Sequence, residues 1–368
     1  MTTRFLGELD SNIIVSDGKN TKKSIFQEYE RVILDSLLQT FGLDFIIQDQ
    51  YGGDVDTIHN LEQIKQEFSG FQQEFETGNK EKALEKLLEL LDALEEEDTS
   101  RRAAQIDKDG NVTLSSEIQA GKPAAEKSAE DGTGESQPLY MSLNHVMEYY
   151  IFAYYFQPAT EVRCTDIPYG EYYRTYGQLA LSMQKYNGAK KAYERAIAWN
   201  PVDLDAYLGL AEVYKYQNQR EKYLTVTKQA YRYCCTRATM ARYYRNMAFY
   251  YLSGYEPETA RACYQYSNVY YHTENADSEL KYISEAIQQE TPQTDIRAIQ
   301  KLFDEKQIEP GPDSQTIGIV YKVGEILLKD GDYKLAKDCY SIVYDITQDA
   351  AAEKMLNELE AAISGSEE

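Results

Sequence analysis

Residues 173–201 read YRTYGQLALSMQKYNGAKKAYERAIAWNP. Small residues stand at Gly177, Ala189 and Ala196, separated by gaps of 12 and 7. Two antiparallel helices cross closely only where side chains are short, and bulky rings then fill the holes beside the crossing. Tyr193, just after Ala189, is such a ring. The same two gaps recur at Ala211, Tyr223 and Ala230, at Ala248, Ala260 and Ser267, and at Gly324, Ala336 and Val343. Tyr264 and Tyr340 repeat the wedge. The first two copies are 34 residues apart and the next step is 37. Periodicity of that length marks stacked helical hairpins.

The stretch with Tyr173, Tyr176-Gly177, Tyr186, Ala189, Tyr193, Ala196 and Asn200-Pro201 resembles the tetratricopeptide repeat. The copy at 317–350, with Gly331-Asp332-Tyr333 before Ala336, is nearly as good. Copies at 204–237 and 241–274 are degraded, with Tyr223 in place of the usual alanine and Cys235 where proline is expected. Clear resemblance covers about half the chain. It implies an all-α, right-handed α-α superhelical solenoid, whose first helices line a concave face that holds a peptide or a partner's helix.

Under that resemblance, the first helices run at about 170–183, 204–217, 241–254 and 317–330. The groove-facing positions expected on them are Arg174, Gln178, Tyr216, Arg242, Arg245, Asn246, Phe249 and Tyr321. Arginine forks pair carboxylates bidentately, and aromatic rings supply contact area at low entropic cost. Some family members clamp a C-terminal carboxylate with Lys and Asn on three consecutive first helices. Arg174, Gln178, Arg242 and Asn246 partly match that arrangement, whereas Gly209 stands where its central Asn belongs. The implied partner is a short acidic or C-terminal segment of another protein.

Outward from the array, residues 139–156 (LYMSLNHVMEYYIFAYYF) are apolar nearly all round, which predicts a helix covered on most sides. Residues 98–138 are small, polar and Pro/Gly-punctuated, the composition of a flexible linker. A helical hairpin is expected over 61–97, with Phe68, Phe71, Phe75, Leu84, Leu87, Leu88, Leu91 and Leu94 on its apolar face. Residues 1–60 read as a small, mostly helical module. One helix carries Ile25, Phe26, Tyr29, Val32, Ile33, Leu37, Leu38 and Phe41 at helical steps, and a short strand follows at 43–47. Pro292, Pro310 and Pro312 break the repeat over 275–310, where a divergent helical pair is expected. Residues 351–368 read as a capping helix and tail, as repeat arrays need.

Composition narrows the function classes. With 38 Lys+Arg against 61 Asp+Glu the chain carries −23, which disfavours nucleic acid unless a local basic patch overrides it. No apolar run reaches the ~20 residues of a membrane helix. The start, MTTRFLGELDSNIIVSD, lacks a cationic stretch followed by an apolar one and predicts no signal peptide. Five scattered cysteines (164, 234, 235, 263 and 339) are no disulfide framework and fit reduced thiols in a cytoplasm. Cys234, between Arg232 and Arg237, is the candidate for a reactive one. The 33 tyrosines are expected mostly in the core, their hydroxyls reaching water or a partner.

Phosphate-binding glycine motifs, HExxH and GxSxG are absent, and the three histidines are far apart. Asp107-Lys-Asp109-Gly-Asn111-Val112 opens like a calcium loop, but Val112 replaces the turn glycine and Ile118 the final glutamate, leaving a DGN turn or small hairpin. Asp54, Asp56 and His59 form a second carboxylate-imidazole group, without further ligands in view. The reading is a non-enzymatic, cofactor-free scaffold that binds protein through 139–350. Two alternatives stay open: a peptide-responsive bacterial regulator, whose DNA-binding element would have to lie near residues 22–41, and an enzyme with a metal site in residues 1–60.

Overall fold

The computed structural model describes residues 70, 73–74, 77–98, 104–106, 112–114, 139–158, 162–165 and 168–366. Among them are thirteen helices and four three-residue strands, so the fold is all-α and built of consecutive packed helical pairs. The expected helix over 25–41, the strand at 43–47, Phe68, Phe71 and Phe75, and most of 98–138 lie outside the described residues. The chain divides into two compact units, one ending at Val226 and one beginning at Thr227.

In the unit ending at Val226, α1 (Lys80–Asp98) follows a turn at Gly78 and buries Ala83, Leu84, Leu87 and Leu91. Within the stretch expected as a linker, β1 (Ala104–Ile106) and β2 (Val112–Leu114) pair antiparallel in the register Ala104↔Leu114. The helix expected from residue 139 begins later. Leu139–Met141 is instead a strand, β3, and α2 spans Val146–Phe156. His145 caps α2 by accepting from the Met147 amide at 3.2 Å, while Glu148 reaches back to the amide of His145. Those bonds stop the helix from extending toward Leu139. β4 (Val162–Cys164) then lies parallel to β3 in the register Leu139↔Val162. A parallel pair needs a crossover, and α2 supplies it.

The array proper starts with α3 (Tyr169–Ser182), α4 (Tyr186–Trp199) and α5 (Leu204–Tyr216), followed by α6 (Arg220–Tyr231), inside which the two units divide. Tyr169 stacks on Trp199 at 4.1 Å, both fully buried. The Tyr193 ring is wedged between α3 and α5, as its place after Ala189 predicts: a Cβ added at Gly177 would sit 2.9 Å from the ring, and one at Gly209 only 2.3 Å.

The unit beginning at Thr227 contains α7 (Arg237–Ser253), α8 (Pro257–Tyr270), α9 (Glu274–Ile287), α10 (Ile296–Lys306), α11 (Ser314–Lys329), α12 (Tyr333–Thr347) and α13 (Ala350–Ser366). Pro292 falls between α9 and α10, and Pro310 and Pro312 between α10 and α11, so the divergent pair sits where the prolines put it. Its core is aromatic: Tyr244 packs against Tyr266, Tyr270 and Phe303. The Tyr244 hydroxyl donates to the Glu309 carbonyl at 2.8 Å and accepts from the Gly311 amide at 2.6 Å, which pins the proline-rich connection to α7.

One turn recurs inside four pairs. Gln184, Asn218, Tyr255 and Gly331 each adopt positive φ two residues before the second helix starts. The amide that follows each returns to the preceding helix: Lys185 to Ala180, Gln219 to Tyr214, Glu256 to Tyr251 and Asp332 to Leu327, at 2.8–2.9 Å. This left-handed closure satisfies helix-end carbonyls, and it is the backbone counterpart of the side-chain spacing.

Candidate functional site

α7 carries the largest group of the expected site residues. Arg242, Arg245, Asn246 and Phe249 fall at helical steps of three and four and share one face. Arg242 and Arg245 are half-buried, and neither has an ion pair or hydrogen bond among the described residues. One terminal nitrogen of Arg245 is buried without an acceptor. The same holds for the side-chain amide nitrogen of Asn246, a residue only 5% exposed. Burial and the neighbouring Arg242 charge push the Arg245 guanidinium's pKa down, and the Tyr264 and Tyr271 phenols act the other way. Buried donors ordinarily find acceptors, so a cationic face left in this condition is suited to an anion. Tyr321, on α11, is buried edge-to-face against Tyr340 at 5.2 Å.

In the other unit the expected residues have different surroundings. Arg174, on α3, is paired with the Asp203 carboxylate, and its second terminal nitrogen donates to the Asn144 side-chain carbonyl at 3.0 Å. Gln178 is exposed. Tyr216 is 59% exposed and stacks on Tyr186 at 5.7 Å. At Gly209, where a clamp would carry Asn, the Tyr193 ring already fills the space a side chain would need.

Around Arg174 the structure assembles a polar network that local sequence reading missed. Glu148 accepts from the Asn144 amide at 2.6 Å, the Asn144 side chain at 3.0 Å and the Asn200 side chain at 2.8 Å. Asp203 caps α5 through the Ala206 amide at 3.1 Å and lies 3.4 Å from the Asn144 side-chain nitrogen. Asp203 thus faces the Arg174 guanidinium, and Glu148 joins the network through Asn144. Protein packs densely round Glu148, and that burial, then the Asp203 charge, pushes its pKa up to about 7. Burial raises Asp203 as well, with Arg174 opposing it. Each acid reads locally as a helix cap, so the sequence signal for either is an N-terminal helix residue and nothing more.

The cysteines form no disulfide among the described residues, and Cys234, Cys263 and Cys339 are buried. Burial pushes the Cys234 thiol well up despite Arg242, and the thiol donates to the Ala230 carbonyl at 3.4 Å, which makes it a poor nucleophile. Among the described residues no group of three or more His, Cys, Asp or Glu side chains is placed to hold a metal ion. Asp54, Asp56 and His59 lie outside them, as does the DKDGN loop. No helix of the described residues is long and apolar enough to cross a membrane.

Compared with known families, residues 170–203 match the model described as tetratricopeptide repeat. The match covers α3, α4 and the turn into α5, the stretch in which Tyr193 is wedged. No curated protein matches the chain.

Proposed function

We propose that this chain, a tetratricopeptide-repeat protein, is a non-enzymatic cytoplasmic scaffold that takes a short acidic segment of another protein. Tetratricopeptide repeats generally mediate contacts between proteins, and the reading adds the chemistry of the contact. The observation that carries it is the face of α7, where Arg242 and Arg245 have no acidic partner among the described residues, in a chain of −23. Phe249 extends the same face with apolar area, and Asn246 lies buried beside it. In the other unit Gln178 and Tyr216 offer exposed contact positions of their own. Arg174 and Tyr321 are engaged with Asp203 and Tyr340, so the reading does not depend on them.

The test is recovery of interacting proteins by the full chain and by the double variant Arg242→Glu, Arg245→Glu. Loss of particular partners from the variant, with its helical circular dichroism intact, supports the reading. Identical recovery by both proteins removes the α7 face from the binding role.

A further inference from the structure

The state of the α7 arginines says more than that an acid is welcome. Between residues 227 and 255 the cations are Lys228, Arg232, Arg237, Arg242 and Arg245, and the segment contains no Asp or Glu. Arg237 is spoken for, its Nε donating to the Tyr270 carbonyl at 2.9 Å. Arg242 and Arg245 are one helical turn apart and electrostatically opposed, each worsening the other's position. A single carboxylate entering there compensates one of the two charges. A phosphodiester or a sulfate ester brings one negative charge and has the same shortfall. A phosphate monoester carries about −1.5 to −2 at neutral pH and presents three acceptor oxygens. Those oxygens answer two guanidinium forks together.

We infer that Arg242 and Arg245 form a seat for the phosphoryl group of a phosphorylated side chain on the partner. The inference rests on the scaffold reading and specifies its ligand: the docked segment is acidic because it is phosphorylated. Binding involves no covalent step. The phosphoryl oxygens accept hydrogen bonds from the guanidinium N–H groups of the two half-buried arginines, and the seat is filled or empty according to whether the partner has been modified.

The experiment is isothermal titration of the full chain with three capped heptapeptides, Gly-Ser-Gly-X-Gly-Ser-Gly, where X is serine, phosphoserine or glutamate, at one ionic strength. The expected result is that the phosphoserine peptide binds about tenfold more tightly than the glutamate peptide, the worth of one further charge-assisted hydrogen bond. Inorganic phosphate displaces it, and Arg242→Gln and Arg245→Gln each abolish the preference. Should a Gln variant lose its helical circular dichroism, Arg245→Lys, which keeps the charge and removes the fork, carries the comparison.

Equal binding of the phosphoserine and glutamate peptides overturns the inference and leaves a plain acidic segment as ligand. A preference that survives in both arginine variants also overturns it, because the phosphoryl group then sits elsewhere. So does inorganic phosphate binding as tightly as the phosphopeptide, which makes the seat one for the free anion. Absence of any peptide binding overturns it too, while the scaffold reading is still judged separately by the partner-recovery comparison.

Discussion

Tyr193 dictates what two of its neighbours are allowed to be. Its ring lies where a β-carbon at Gly209 or Gly177 would have to go, and at 2.3 Å the Gly209 overlap is too deep for a small adjustment to relieve. Gly209→Ala is expected to destabilise the unit ending at Val226 by about 1–3 kcal/mol, the usual range for overpacking a tight core, with Gly177→Ala costing less. Urea midpoints of the two variants check the order, and a Gly209→Ala midpoint at or above wild type contradicts the wedge. Glu148 poses the opposite problem, a charge with too little compensation. Its carboxyl lies at about 7 in the folded chain against an ordinary value of 4.5. Folding therefore takes up a proton between those limits, and the folded state binds more protons than the unfolded one. Below 4.5 the group makes no difference, stability falls as pH rises toward 7, and the loss is constant above that. Asp203, also raised, adds in the same direction. Glu148→Gln is expected to flatten that part of the stability–pH profile, measured as the wild-type minus variant difference at a series of pH values. A difference independent of pH from 4.5 to 7 rules out the buried proton.

Among the helical elements, the turn inside each pair makes the chain's imperfect repetition measurable. Gly331 and Tyr255 occupy the same position in two pairs and have φ of 83° and 62°. Nothing lies near a β-carbon at Gly331, so Gly331→Ala introduces backbone strain alone and is expected to cost about 1 kcal/mol. Tyr255 bears that strain already, and its side chain is 94% exposed, so Tyr255→Gly gives up little packing. It is expected to stabilise the unit beginning at Thr227 by about 0.5–1 kcal/mol. Paired denaturation curves with shifts of opposite sign are the required outcome. These pairs were legible in the sequence because close helix crossings demand small residues at fixed spacing, and Gly177, Ala189 and Ala196 keep that record. The strands β3 and β4 were not, since three residues are too few for alternation to show and their partners are separated by α2. The Glu148, Asp203 and Arg174 network escaped for a related reason. Its members come from three helices, and each acid has a sufficient local explanation as a cap. The arginine face on α7 was legible as a stripe, but that Arg242 and Arg245 make no ion pair among the described residues becomes evident only when neighbouring helices are in place.

Over the whole molecule, charge sets a conflict between distance and contact. The chain carries −23, and an acidic segment approaching at low salt meets that field before it meets Arg242 and Arg245. At an ionic strength of about 0.01 M the screening length is roughly 30 Å, so repulsion from the whole surface is felt; at about 0.15 M it is roughly 8 Å, and mainly the local face counts. Half-buried arginines lose less to screening than exposed ones, so the bound state is weakened less than the approach is helped. The association rate of a phosphoserine peptide is therefore expected to rise several-fold as salt increases over that interval, with a smaller change in dissociation rate. This is the reverse of binding to a basic protein, where salt slows association. Stopped-flow measurement with a fluorescent peptide distinguishes the two. A rate that falls steadily with salt means that attraction extends well beyond two arginines, and the seat then belongs to a broader basic surface than α7 provides.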